Sequence, residues 1–326
     1  MKFLKNLSIG AMTFVIASCV SLPTSPQSSF DFPETKTVKF RFQNMLGLEI
    51  YSAGCSMIND GGVERMCQYS LENPADLVFQ VGPSFSPFQI EPISITERQS
   101  KRNALWKAWE VQGVKFYSVD AFDLTPSVPD FMQSHEGSTI RLLSSNLKKA
   151  GGEYLFEPML RFKVASKSIG VLSFTEPDKK IANGDWKVES PVSVFKALAA
   201  GESQSDLYYV LGSLSKTTQE AISQLTSKPI LFLGGELKEQ NSIEVEKRGK
   251  YFFVKAPDLG RGFGELAVGK FEKDVWGRTP QANLGGLDHS FRAKILKKGD
   301  LQFNPCSQIL KTTKPQSLST EALEKK

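Results

Sequence analysis

Three stretches of this chain share one form: an apolar run that stops on glycine. Residues 76–81 end at Gly82-Pro83, residues 207–211 at Gly212, and residues 230–233 at Gly234-Gly235. A short apolar run closed by glycine reads as a buried strand leaving the sheet through a tight turn. Further strands are expected at 38–42, 46–53, 114–119, 140–144, 168–174, 251–254 and 265–268. Helical periodicity fills the intervals at 63–71, 96–111, 191–200 and 216–225. The second of these carries Ala104, Leu105, Ala108 and Val111 on one face, with Thr96 as its N-cap. Strands alternating with helices predict right-handed βαβ units, and this many strands predict two β-sheets sandwiched between helices, an α/β fold. Chemistry in such folds sits at the carboxyl ends of the strands, so the turn residues are the ones to weigh.

Composition sets limits. The 326 residues are 40% hydrophobic and 23% charged, enough for one large or two small domains with a real core. The formal charge of +5 falls by two if Lys2 and Lys5 leave with a leader, too weak a balance for a nucleic-acid partner. Only His135 and His289 are histidines, which starves the chain of the commonest transition-metal ligand and general base.

The N-terminus has basic Lys2 and Lys5, an apolar stretch over 7–17 and a small-residue end. That is secretory-leader anatomy, too short to span a bilayer. Ile16-Ala17-Ser18-Cys19 resembles the bacterial lipobox, in which cleavage precedes a cysteine whose sulfur carries diacylglycerol; the other reading is ordinary cleavage near Ala17. Cys19 is thus the expected lipidation site, and Val20 rather than Asp after it favours the outer membrane, facing the periplasm. The expected organisation is a signal peptide at 1–18, a lipidated N-terminus and Ser/Pro-rich tether at 19–36, a folded body at 37–270, a C-terminal extension at 271–310 and a disordered tail at 311–326.

Over 48–268 the order of landmarks resembles the calcineurin-like metallophosphoesterase domain of the periplasmic 5′-nucleotidase family. Gly61-Gly62-Val63-Glu64-Arg65 resembles that family's Gly-Gly-x-x-Arg, and Val78 to Gly82 the strand before its Gly-Asp. Phe116 to Asp123 resembles the strand leading into Gly-Asn-His-Glu-Phe-Asp, and Ser144-Ser145-Asn146 its Ser-x-Asn. Ile169 to Thr175 resembles Ile-Gly-(apolar)-Gly-(apolar)-Thr without the second glycine. Gly234 to Lys238 resembles Gly-Gly-His-Thr-His, and Gly260 to Leu266 the Gly-x-x-Leu-Gly-x-Leu close, with substitutions. The resemblance implies the same sandwich of two sheets between helices.

It also implies where two divalent metals would sit, since such a pair generates hydroxide and clamps an in-line phosphoryl displacement. The first Asp-x-His of the family falls on Gly54 and Ser56, and the bridging Asp on Pro83. The Asn-His pair falls on Val119 and Asp120, the next histidine on Gly212 or Ser213, and the last His-x-His on Glu236 and Lys238. Gly, Pro and Val offer no side-chain ligand, and Lys238 puts a cation where a metal belongs. The family's nucleotide-holding second domain would need more chain than follows Val268.

Other candidates rest on residues alone. Asp120, Asp123 and Glu236 would suit Ca²⁺ or Mg²⁺ if they clustered; otherwise they are turn carboxylates. Ser56 or Ser213 would need a base to act as a nucleophile. Gly61-Gly62 at a helix start could hold an anion on backbone N–H groups, or simply supply an unusual φ. Cys55 and Cys67 could form a disulfide, leaving Cys306 over, or all three could be buried thiols. Of Trp106 and Trp109, at least one is expected in the core. Together these readings describe a lipid-anchored envelope protein, without cofactor, that binds or scaffolds rather than catalyses. Its expected partners are the membrane, through its anchor, and an envelope protein or small phosphorylated ligand. The alternative is a phosphoester hydrolase with a rebuilt carboxylate site around Asp120 and Glu236.

Overall fold

The computed structural model describes residues 29–34, 36–44, 62–85, 95–177, 185–200, 205–234, 244–249, 251–255, 262–271, 275–276, 279–296 and 305–311. In chain order the elements are β1 (Ser29–Asp31), β2 (Val38–Asn44), α1 (Val63–Glu72), β3 (Leu77–Val81), α2 (Ile95–Val111), β4 (Val114–Ser118), a 3-10 turn (Ala121–Leu124), α3 (Val128–His135), β5 (Arg141–Leu143), β6 (Leu147–Lys149), β7 (Leu160–Val164) and β8 (Lys167–Ser173). They continue with β9 (Trp186–Val188), α4 (Pro191–Ala199), β10 (Leu207–Leu211), α5 (Lys216–Gln224), β11 (Ile230–Leu233), β12 (Glu244–Arg248), β13 (Tyr251–Lys255), β14 (Gly262–Gly269), β15 (Gln281–Leu284), β16 (Leu287–Ile295) and α6 (Pro305–Lys311).

One seven-stranded sheet has the order β1-β7-β8-β10-β11-β13-β12, the other β15-β16-β14-β2-β3-β4-β5. Each contains a parallel run, β8-β10-β11-β13 inside the first and β2-β3-β4-β5 out to the edge of the second. The alternation of β2 explains the packing. Val38, Phe40 and Phe42 face the other sheet, where Phe79, Phe116, Phe162, Tyr209 and Phe291 join them, each buried side chain contributing about 1.5–3 kcal/mol. A second core lies under α1, α2, α3 and α6, and a third under α4 and α5. This is the expected two-sheet sandwich between helices. Helix starts follow sequence: Ser190 and Ser215 accept from the N–H of Ser193 and Thr218, and Pro191 occupies the first turn of α4.

Several expectations change. Ser29–Asp31, inside the expected tether, forms an edge strand beside β7. Phe30 packs edge-on against Phe116 and Phe32 against Phe162, which seats it. The expected extension is part of the body: β16 pairs along all of β14, and Leu284, Leu287 and Phe291 enter the inter-sheet core. Helix α3 and strands β6, β7, β9 and β12 are additional to the expected elements. Thr96 lies inside α2, which begins at Ile95, rather than capping it. Both Trp106 and Trp109 are buried.

The disulfide expectation is corrected as well. Cys67 of α1 is bonded to Cys306 of α6, with Cα atoms 6.2 Å apart. Nearness in sequence favoured Cys55, which lies outside the described residues. Packing decides otherwise: α6 lies against α1 and α2, and Cys306 joins Met66, Cys67 and Ala108 in one cluster.

His289 of β16 is fully buried between the sheets. Leu287 O can only accept, so Nδ1–H donates to it at 2.9 Å and Nε2 accepts from the Tyr209 hydroxyl at 2.9 Å. Burial pushes the ring down to about 4, against the weaker opposing effects of the Leu287 carbonyl and Asp288. A lowered imidazole stabilises the fold only while it is neutral. Its contribution is therefore complete above the ordinary value of 6.5 and lost as pH falls from there to about 4, a total of about 3 kcal/mol. Urea titrations across that window should give stability falling more steeply with acid than in His289→Gln. Parallel slopes would contradict this account.

Candidate functional site

The carboxyl ends of the parallel strands from both sheets meet along one rim. Ser118 at the end of β4 and Ser173 at the end of β8 share a 2.6 Å hydrogen bond between hydroxyls. Two residues further on, Thr175 Oγ1 donates to Asp120 Oδ2 at 2.7 Å. Asn146, just beyond β5, donates from Nδ2 to the carbonyls of Thr175 (2.7 Å) and Glu189 (2.8 Å) and accepts from Thr175 N at 3.1 Å. Ser145 Oγ donates to Pro158 O at 2.6 Å and accepts from Ser173 N at 2.9 Å. Short hydroxyl and amide side chains thus tie one sheet to the other where the strands end.

The glycines bring the turns close enough for this. A Cβ on Gly82 would come 2.6 Å from Asp123 Oδ2 and 2.7 Å from Ser118 O. Gly212 and Gly234 have φ of 119° and 135°, and a Cβ on Gly234 would lie 2.6 Å from Gly212 O. A side chain at these turns would be strained and would push neighbouring strand ends apart.

Asp120 and Asp123 are committed to this framework. Asp123 Oδ1 accepts from the N–H groups of Ser84 and Phe85, both at 2.8 Å, and Oδ2 from Asp120 N at 2.9 Å. Asp120 Oδ1 accepts from Phe122 N at 3.0 Å, completing a capping box on the 3-10 turn. Burial pushes the Asp123 carboxyl up to about 7, with Asp120 adding to it, and raises Asp120 as well. The pair holds the loop after β3 against the turn after β4.

Pro83 follows β3, Val119 and Asp120 follow β4, and Gly212 and Ser213 follow β10. The Val119 side chain turns into the core beneath the helices. Gly62 precedes α1 at φ 89° without a side-chain cap. Its partner Gly61 lies outside the described residues, as do Cys19, Gly54, Cys55, Ser56, Glu236 and Lys238. His135 is engaged with Ile140 O at 2.6 Å and packs edge-on to Trp106, and His289 is between the sheets. Among the described residues no group of three His, Cys, Asp or Glu side chains could hold a metal. Among the described rim residues, Asp120 and Asp123 have their carboxyl oxygens taken by local donors. Sequence reading missed Ser118, Ser173 and Thr175; the available signal was a hydroxyl residue recurring at successive strand ends.

No family model and no curated protein matches the chain. Solved structures do. A 5′-nucleotidase precursor from Thermus thermophilus aligns with TM-score 0.59 and 14% identity, over 85% of this chain and 58% of its own. The sulfate thiohydrolase SoxB of the same genus aligns at 0.59 and 11%, over 87% and 61%. The calcineurin-like phosphoesterase YfkN from Bacillus subtilis aligns at 0.55 and 12%, over 85% and 96%. The chain therefore spans little more than half the length of the Thermus nucleotidase. At such identities the likeness is one of architecture, and the chain has the calcineurin-like metallophosphoesterase fold.

Proposed function

We propose that this chain is a membrane-tethered envelope protein that uses a metallophosphoesterase fold for binding or scaffolding, without a dimetal centre. The observation that carries the reading is the occupancy of the rim. By the resemblance, the family's ligand positions fall on Pro83, Val119, Asp120 and Gly212 or Ser213, while hydrogen bonds between hydroxyls, amides and carboxyls join the sheets at these strand ends. The Cys67–Cys306 disulfide supports export, because such bonds persist in oxidising compartments. Cys19 after its lipobox-like run supplies the tether, and the outer membrane facing the periplasm is the proposed address.

The test is metal content measured with a broad phosphoesterase screen on the folded chain. Less than one divalent ion per chain and no turnover is expected. Two bound ions with turnover would overturn the proposal, and turnover abolished by Glu236→Gln would establish the hydrolase with a rebuilt carboxylate site. Nucleotides and sugar phosphates, screened by thermal shift, test the small-ligand form of the same reading.

A further inference from the structure

Strand β7 brings an arginine to the outer face of the first sheet. Leu160, Phe162 and Val164 turn into the inter-sheet core, so Arg161, between them, turns outward. There it stands in one cross-strand row with Gly170 of β8 and Tyr208 of β10, which are paired in register. Gly170 leaves a notch in that row. A Cβ on it would lie 2.5 Å from Met159 Cε, 2.9 Å from Ser205 Oγ and 2.9 Å from Tyr208 Cδ1. The Ser205 hydroxyl thus settles over β8, beside the strand that carries Arg161, and any side chain at position 170 would displace it.

The polar groups around this notch are unanswered. Arg161 Nε and Nη1 are both sealed from solvent, and neither has an acceptor. Ser205 is 4% exposed and its hydroxyl has no partner. Asp206, next in sequence, is turned away: its carboxylate accepts from Ser168 N at 2.9 Å and from Lys167 Nζ at 3.5 Å. Burial pushes the Arg161 guanidinium down from its ordinary value, and Tyr208 is the group that opposes this. A cation withdrawn from water without a counter-charge is strongly destabilising, and buried donors left unpaired mark a missing water or ion. A water would answer the hydrogen bonds but not the charge. Lys163, exposed two residues further along the same face, adds to the positive potential. Arg161 as a whole is only half-buried, so the notch is reached from solvent.

We propose that Arg161 and Ser205 form an anion-binding site on the outer face of the first sheet, taking a small oxyanion such as phosphate, free or as the end group of a small molecule. The guanidinium N–H groups and the serine hydroxyl donate to its oxygens. The site is separate from the strand-end rim and depends neither on the rim's chemistry nor on acylation.

The test follows the thermal midpoint of the full chain as inorganic phosphate replaces chloride at constant ionic strength. The midpoint should rise by several degrees along a saturating curve. Glycerol phosphate in its place tells the two sources apart: a stronger response assigns an esterified phosphate, a weaker one the free ion. Arg161→Met should abolish the saturating rise and leave the shallow, unsaturable gain that phosphate gives any folded chain. In chloride alone Arg161→Met should melt no lower than the native protein, since it removes an unpaired buried charge. Ser205→Ala, which keeps the guanidinium, should weaken the response severalfold. A saturating rise that survives Arg161→Met would put the anion elsewhere and overturn the proposal. Absence of a saturating rise in the native protein would overturn it too, and a lower midpoint of Arg161→Met in chloride would then show the guanidinium paired within the chain.

Discussion

Glu265→Gln is expected to lower stability by about 3–5 kcal/mol, because it leaves a buried arginine without its counter-charge. Glu265 Oε1 accepts from Arg41 Nε and Nη2 at 3.0 and 2.7 Å, and Oε2 from Arg292 Nε at 2.6 Å and the Tyr69 hydroxyl at 3.0 Å. Arg41 is 1% exposed, its guanidinium lying 4.9 Å from the Tyr69 ring centre and 4.7 Å from that of Phe263. Burial, and then Glu265, pushes the Tyr69 hydroxyl up to about 12, so the tyrosine stays a donor. The neutral amide keeps the size of the side chain but cannot balance two cations. The network joins α1 to β2, β14 and β16, which makes it a clamp between distant parts of the chain. Urea unfolding measures the loss. Adding Arg41→Met to Glu265→Gln should recover more than half of it, since the worst fault is the unpaired buried charge. A single-variant loss under about 1 kcal/mol would mean the network does not hold the fold.

Cys306→Ser is expected to cost about 2–5 kcal/mol. The Cys67–Cys306 bond joins residues 239 apart in sequence, so its loss frees a long loop in the unfolded chain. It also releases α6, whose Cys306 and Ile309 pack on the cluster around Ala108. Reductant should destabilise the native protein by a similar amount and leave Cys306→Ser unchanged. A native protein indifferent to reduction would contradict this.

The parts of the fold legible in sequence were those with strong local signals. β3, β10 and β11 are apolar at nearly every position because both faces are buried, and α4 and α5 carry serine caps. β7 was legible but missed: its Arg161 and Lys163 alternate with Leu160, Phe162 and Val164, the pattern of a half-buried strand, which pairs with β8 and β1. β1 has three residues and exists because β7 offers an edge. β15 and β16 follow a stretch that reads as basic and irregular, and their place is set by β14. At the rim, Pro83, Val119 and Ser213 follow the ends of β3, β4 and β10. The cross-sheet bonds of Ser118, Asn146, Ser173 and Thr175 stayed hidden, because serine and threonine at strand ends read as ordinary turn residues. Their partners sit on the opposite sheet. The disulfide was misassigned for the same reason: sequence distance says little about which helix packs on which.

We propose that side-chain hydrogen bonds, and not metal ions, close the rim. The most direct test is the thermal unfolding midpoint of the folded chain in excess chelator and in saturating Mn²⁺. Each metal ion bound at a hundred times its Kd would add about 2.7 kcal/mol, enough to raise Tm by several degrees. Superimposable melts are the predicted result; a midpoint that rises with Mn²⁺ and falls with chelator would contradict the account.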